Sequence, residues 1–138
     1  MTDISDHTDL AVIAVPARLV PGTVRECSDA GIKAAVILSA GFKEAGKEGT
    51  RLEEEIKAIG RERDIRILGP NCLGLINTAN DMNATFAAGM LPKGKIAFFS
   101  QSGALGERLV HLLGDHLGNV QPRQRAEWRH PVIRLVDR

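Results

Sequence analysis

Three short apolar runs recur along this chain, each of strand length. Asp9–Val15 reads DLAVIAV, Ala34–Ser39 reads AAVILS, and Ile65–Gly69 reads IRILG. A strand with one face in water alternates apolar and polar residues. A near-continuous run suits a strand covered on both faces, as in a parallel sheet. Parallel neighbours need crossover segments, and both intervals carry a helical period. In the first, Val20, Val24, Cys27 and Gly31 recur at helical spacing, Pro21 fits a first turn, and Gly31 is a natural stop. In the second, Leu52, Ile56 and Ile59 form one stripe, and Glu53 with Lys57 makes an i,i+4 pair on the opposite side. Alternation of this kind predicts an α/β fold with a parallel sheet and right-handed crossovers.

The rest is less regular. Ala40–Thr50, AGFKEAGKEGT, reads as a mobile glycine-rich loop. Gly69–Phe86 is rich in turn residues and predicts no regular element. Lys95–Phe99, KIAFF, predicts a fourth strand, and Leu105, Leu109, Leu112, Leu113 and Leu117 a last helical stripe. Structureless connections as long as 77–92 are uncommon inside one domain, so a boundary is expected there. Residues 119–138, rich in arginine and holding the only tryptophan, read as an atypical tail.

Charge narrows the partners. The 138 residues hold 18 basic and 17 acidic side chains, a net +1, which makes no electrostatic case for nucleic acid or a membrane surface. No apolar run approaches the ~20 residues of a membrane span. The polar start, MTDISDHTD, is not a signal peptide. Two cysteines, Cys27 and Cys72, make neither a disulfide framework nor a zinc pattern, so the expectation is a cytoplasmic protein without a metal site.

In open α/β sheets ligands lie beyond the carboxyl ends of the strands. Four such ends carry small residues: Val15-Pro16-Ala17-Arg18, Ser39–Phe42, Gly69–Gly74 and Ser100–Gly106. Each is equally a tight strand-to-helix turn. At the last, Ser100 or Ser102 can cap a helix while Gly103 and Ala104 offer amides to a phosphate; the spacing is neither a Walker A loop nor G-x-G-x-x-G. Cys72 as a nucleophile needs a base and a lowered pKa; a small residue lining a turn is the simpler reading. Arg18 is either a phosphate partner or a solvated arginine, and Glu53–Glu55 are a solvated helix face.

Taken in order, DLAVIAVPA, GIKAAVILSAGFKE, RILGPNCLGLIN and NATFAAGMLPKGKIAFFSQSGALG resemble the NDP-forming acyl-CoA synthetases, which include the ADP-forming acetate–CoA ligases. The resemblance covers Asp9 to Gly106. It implies a partial Rossmann-like CoA-binding domain over 1–92, with a linker from about 77, then the start of a flavodoxin-like ligase domain over 93–118. It implies that Val15, Pro16, Ser39 and Ala40 approach coenzyme A, with Asn71 and Cys72 near its thiol end. Ser100, Ser102, Gly103 and Ala104 would form half of an anion cradle for phosphate moving through a phosphohistidine. In this family ATP or ADP and Mg complete the reaction. The family's first strand–helix unit, its phosphohistidine motif and its ATP-grasp portion are not recognisable here. A fragment is therefore expected, with no catalytic residue of its own and a need for the ligase and ATP-grasp domains or a partner subunit. Self-association through an exposed sheet edge is expected too. The alternatives are a CoA-binding regulatory module of a multidomain protein acetyltransferase and an inactive remnant.

Overall fold

The computed structural model describes residues 8–87 and 89–116, the last four of these by backbone alone. They fall into two compact units that part between Cys72 and Leu73. In the first unit the elements run β1 (Leu10–Ile13), α1 (Val20–Asp29), β2 (Ala34–Ile37), α2 (Lys47–Glu62) and β3 (Arg66–Leu68). The three strands form a parallel sheet in the order β1-β2-β3. In register, Val12 lies beside Val36, and Val36 beside Leu68. The fold class read from the sequence is the one observed.

The reason lies in which side chains the pleat points where. Ala11, Ile13 and Val15 share one face of β1 and its extension, with Ala35 and Ile37 beside them on β2. Onto that face α1 lays Val20, Val24 and Cys27, and α2 lays Leu52, Ile56 and Ile59. Val12 and Val36 alternate to the other face and are buried as well, so the runs are apolar on both sides. Burial of each such aliphatic side chain stabilises the fold by about 1.5–3 kcal/mol. On the outside, Arg25 pairs with Glu55 and Arg63 with Asp29, tying α1 to α2.

The structure corrects the sequence reading at several points. Ala40–Thr50 is not a loop throughout: a 3-10 turn at Lys43–Ala45 leads directly into α2, which begins at Lys47. Two of its three glycines, which argue against a helix on propensity, have separate roles, Gly46 in backbone conformation and Gly49 in close packing. Gly46 takes a positive φ of 95° just before the helix. A Cβ on Gly49 would stand 1.7 Å from the Phe42 carbonyl oxygen.

In the second unit, β4 (Gly74–Asn77) and β5 (Met82–Thr85) pair antiparallel inside the stretch that predicted no regular element. Gly74 makes this possible, because a Cβ there would sit 2.0 Å from the Ala84 carbonyl oxygen. Conversely, Lys95–Phe99 is not a strand. Its composition suits a sheet, but none of the described strands pairs with it. The last helix, α3 (Gly103–His116), forms where a helix was expected, although Leu105 and Leu112 of the expected stripe are exposed and Val110 is buried; Leu117 and the atypical tail expected over 119–138 lie outside the described residues.

Two glycines on the same scaffold make a paired test. Gly49→Ala should destabilise the first unit by several kcal/mol because backbone atoms must move. Gly22→Ala, in α1 with open space around it, should stabilise by about 0.4–1 kcal/mol through the unfolded chain. Urea melts of the two variants check both signs. Cys27, buried between α1 and the sheet, has its thiol pushed up to about 11, chiefly by burial and then by the Glu26 charge. It should resist thiol reagents at neutral pH until the chain unfolds, which labelling with and without denaturant measures.

Candidate functional site

The ends of β1, β2 and β3 converge because the parallel register carries past the strands. Ile13 stands beside Ile37, so two residues further on Val15 comes level with Ser39. Val36 stands beside Leu68, which brings Asn71 level with Ser39 from the other side. The bonds agree with the count: the Leu38 amide donates to the Ile13 carbonyl at 2.9 Å, and the Asn71 amide to the Ser39 carbonyl at 3.0 Å. Beyond β1 the chain turns at the exposed Pro16, whose carbonyl accepts the Leu19 amide at 2.8 Å. Beyond β2, Gly41 is in the left-handed region at φ 99°, and a Cβ on it would stand 3.1 Å from the Ala17 Cβ. The β1 and β2 turns therefore touch.

The β3 turn is held down on β2. Gly69 has a φ of 101°, and a Cβ on it would approach the Ile37 carbonyl oxygen to 2.5 Å. A cis Gly69–Pro70 peptide follows, then Asn71 at a φ of 52°. The Cys72 thiol donates to the Ile37 carbonyl at 3.4 Å and lies 3.8 Å from the Leu68 carbonyl. Those two contacts hold the sulfur against backbone oxygens of β2 and β3.

At the centre stands Ser39. Its hydroxyl oxygen is buried, and among the described residues it has no hydrogen-bond partner. An unsatisfied buried hydroxyl costs about 1–3 kcal/mol, and such groups are rare enough to point to a missing partner. The sequence marked Ser39 only as a small residue at a strand end; nothing in it signalled that the hydroxyl would be orphaned.

One further feature of this end escaped the sequence reading. The Glu44 carboxylate folds back to accept the Gly41 amide at 2.7 Å and the Phe42 amide at 3.2 Å. The Gly41 bond is the first cause holding its pKa below the ordinary carboxylate value. The signal available was a carboxylate three residues after a glycine turn. Arg18, the other charged residue singled out at these turns, is exposed.

Ser100, Ser102, Gly103 and Ala104 belong to the second unit and are exposed. Ser102 caps α3: its hydroxyl accepts the Leu105 amide at 3.4 Å, while the Ser102 amide donates to the Ser100 hydroxyl at 3.0 Å. The first amides of a helix have no partner within it, so those of Gly103 and Ala104 sit where an anion is favoured. Among the described residues no cluster of histidine, cysteine and acidic side chains could hold a metal ion. No described helix is long and apolar enough to cross a membrane.

Comparisons with known proteins show the family. The model of a family described as a CoA binding domain matches residues 1–78. The ADP-forming acetate–CoA ligase I of Archaeoglobus fulgidus is 52% identical over 101 residues, covering 73% of this chain and 15% of that protein. The alpha subunit of the ADP-forming acetate–CoA ligase II of Pyrococcus furiosus is 47% identical over 109 residues, covering 79% and 24%. Among solved structures, the dinucleotide-forming acetyl-coenzyme A synthetase 1 of Candidatus Korarchaeum cryptofilum, in complex with phosphate and ADP, superposes with a TM-score of 0.75 at 40% identity, covering 85% of this chain and 25% of that one. The chain thus spans about a quarter or less of the length of these relatives.

Glu44 supplies a test of the turn. Its pKa is lowered in the folded chain, so the stability it adds is present above the ordinary carboxylate range and is lost as pH falls through the folded value. The group is solvent-facing, so the effect should stay below about 1 kcal/mol. Glu44→Gln should lie below wild type at neutral pH and converge with it in acid. Melting curves across the acid range measure the gap.

Proposed function

Since the chain belongs to the CoA-binding domain family, we propose that the joined ends of β1, β2 and β3 hold coenzyme A for an acid–CoA ligase of the ADP-forming kind. The single observation that carries this reading is the buried, unpartnered hydroxyl of Ser39. It fits the ligand's chemistry: the pantetheine arm bears amide groups able to satisfy a lone hydroxyl, and its slender chain suits turns without bulky side chains. Val15 and Pro16 flank that hydroxyl on one side, and Ala40 follows it. Asn71 and Cys72, pinned to the β2 end, stand on the other side, where the thiol end would come. The bound coenzyme supplies a thiol to be acylated; these residues orient it and keep its arm extended.

In a protein of the relatives' length, the exposed start of α3 receives phosphate at the Gly103 and Ala104 amides, beside Ser100 and Ser102. The contribution there is preorganised hydrogen bonding to negative charge, with no covalent step by these side chains. The acyl phosphate, the phosphohistidine, ATP or ADP, and Mg belong to ligase and ATP-grasp parts on the same longer chain or on a partner subunit. The chain is read as the coenzyme-holding part, with no complete ligation expected from these 138 residues alone. The outer edge of β1, unpaired among the described strands, offers a place for a further strand from such a protein or from a second copy.

Ser39→Ala separates a ligand-binding hydroxyl from a structural one. Removing an unsatisfied buried hydroxyl should leave the coenzyme-free chain as stable as wild type or more so. Calorimetric titration should show CoA binding weakened about tenfold, equivalent to ~1.4 kcal/mol. Equal affinity in the two proteins, or no binding heat from wild type at millimolar coenzyme, overturns the reading.

A further inference from the structure

Arg18 is the charged residue at the strand ends that the proposed function leaves without a task. It lies on the 3-10 turn Ala17–Leu19 that joins β1 to α1. Between Asp9 and Arg25 it is the only charged residue, and it is exposed. Other arginines of the first unit are neutralised by a neighbour: Arg25 by Glu55, Arg51 by Glu48 and Arg63 by Asp29. Arg61 lies in the last turn of α2, where the helix itself favours a cation. Arg66 opens β3, at the amino end of the sheet. Of these arginines Arg18 alone stands at the carboxyl ends of the strands. Among the described residues its guanidinium has neither a carboxylate nor a hydrogen-bond partner. The carboxylate on the adjoining turn, Glu44, is taken up by the Gly41 and Phe42 amides.

We infer that Arg18 binds a phosphate of coenzyme A and makes the site select the phosphorylated coenzyme over phosphate-free pantetheine. The inference rests on the proposed function, with the thiol end at Asn71 and Cys72. The order of the turns then sets the order of the ligand. Neighbouring strands lie about 4.8 Å apart, so a ligand crossing the ends of β3, β2 and β1 meets Asn71, then Ser39, then the β1 turn. Coenzyme A is linear in the same sense: thiol, amide-bearing arm, diphosphate, phosphorylated ribose. With an arm amide at the Ser39 hydroxyl and the thiol toward β3, the phosphates leave on the β1 side. There Ala17 abuts Gly41, so the turn carrying Arg18 is held against the turn carrying Ser39. A guanidinium presents a planar fork of donors that matches two phosphoryl oxygens. Because it is unpaired in the free chain, no ion pair is broken when a phosphate arrives.

Calorimetric titration of the full chain tests this with three ligands: coenzyme A, pantetheine, and dephospho-coenzyme A, which keeps the diphosphate but lacks the ribose phosphate. Wild type should bind coenzyme A at least about tenfold more tightly than pantetheine. Arg18→Gln should weaken coenzyme A at least about tenfold, equivalent to ~1.4 kcal/mol, and leave pantetheine binding as in wild type. Its deficit should shrink as salt is raised. Arg66→Gln removes the same charge at the other end of the sheet and should bind coenzyme A as wild type does. An equal loss with dephospho-coenzyme A puts the contact on the diphosphate, and a loss confined to the full coenzyme puts it on the ribose phosphate; either supports the inference. Arg18→Gln binding coenzyme A like wild type overturns it. So does a loss extending equally to pantetheine, an equal loss in Arg66→Gln, or wild type holding pantetheine as tightly as coenzyme A. Those results leave the proposed function standing, whereas a wild-type chain that binds no coenzyme A overturns both.

Discussion

The contact between the β3 turn and the last residues of β2 organises the candidate site. Gly69 lies so close to the Ile37 carbonyl that no side chain fits between them. Two residues on, the Asn71 amide takes the Ser39 carbonyl, and the Cys72 thiol takes the Ile37 carbonyl. These bonds extend the sheet's pairing past its strands and fix the height at which Val15, Ser39 and Asn71 stand level. Without that junction the three turns would be separate loops. With it they stand around a hydroxyl that has no partner among the described residues.

The junction depends in turn on the core. Ile37, fully buried, belongs to the cluster that α1 and α2 cover, so the carbonyl receiving Cys72 is held by a packed strand. A site mounted on such an element keeps its geometry before the ligand arrives, and less ordering is left to oppose binding. Glu44 plays a comparable part for the β2 turn by occupying the Gly41 and Phe42 amides. The opening of the turn is fixed in the same way by Gly41 abutting Ala17.

How much of this was legible in the residues follows from where the determining forces act. The first unit was readable because hydrophobic burial sets it: apolar runs at Leu10–Ile13 and Ala34–Ile37, with helical stripes after each. The Gly69–Cys72 turn was readable as small and close to backbone, yet the orphaned state of Ser39 depends on neighbours brought in by three different strands. The β4–β5 hairpin stayed hidden because its strands are short, only Ala84 among them is buried, and Gly74, which reads as a turn residue, lies inside the ladder against the Ala84 carbonyl. Lys95–Phe99 misled for the opposite reason. Isoleucine and phenylalanine favour a pleated surface, but a strand exists only where another backbone answers its hydrogen bonds. Family resemblance added what no spacing could, the identity of the ligand, and the 52% identity to an acetate–CoA ligase agrees with it.

Amide chemical shifts recorded as coenzyme A is added to the full chain bear most directly on whether the strand ends form one binding surface. Shifts moving together at Val15 and Ala17, at Ser39–Gly41 and at Asn71–Cys72, with a common midpoint, are what a single site built by the β2–β3 junction requires. Shifts confined to the outer faces of α1 and α2, or midpoints that differ among the three turns, would contradict it.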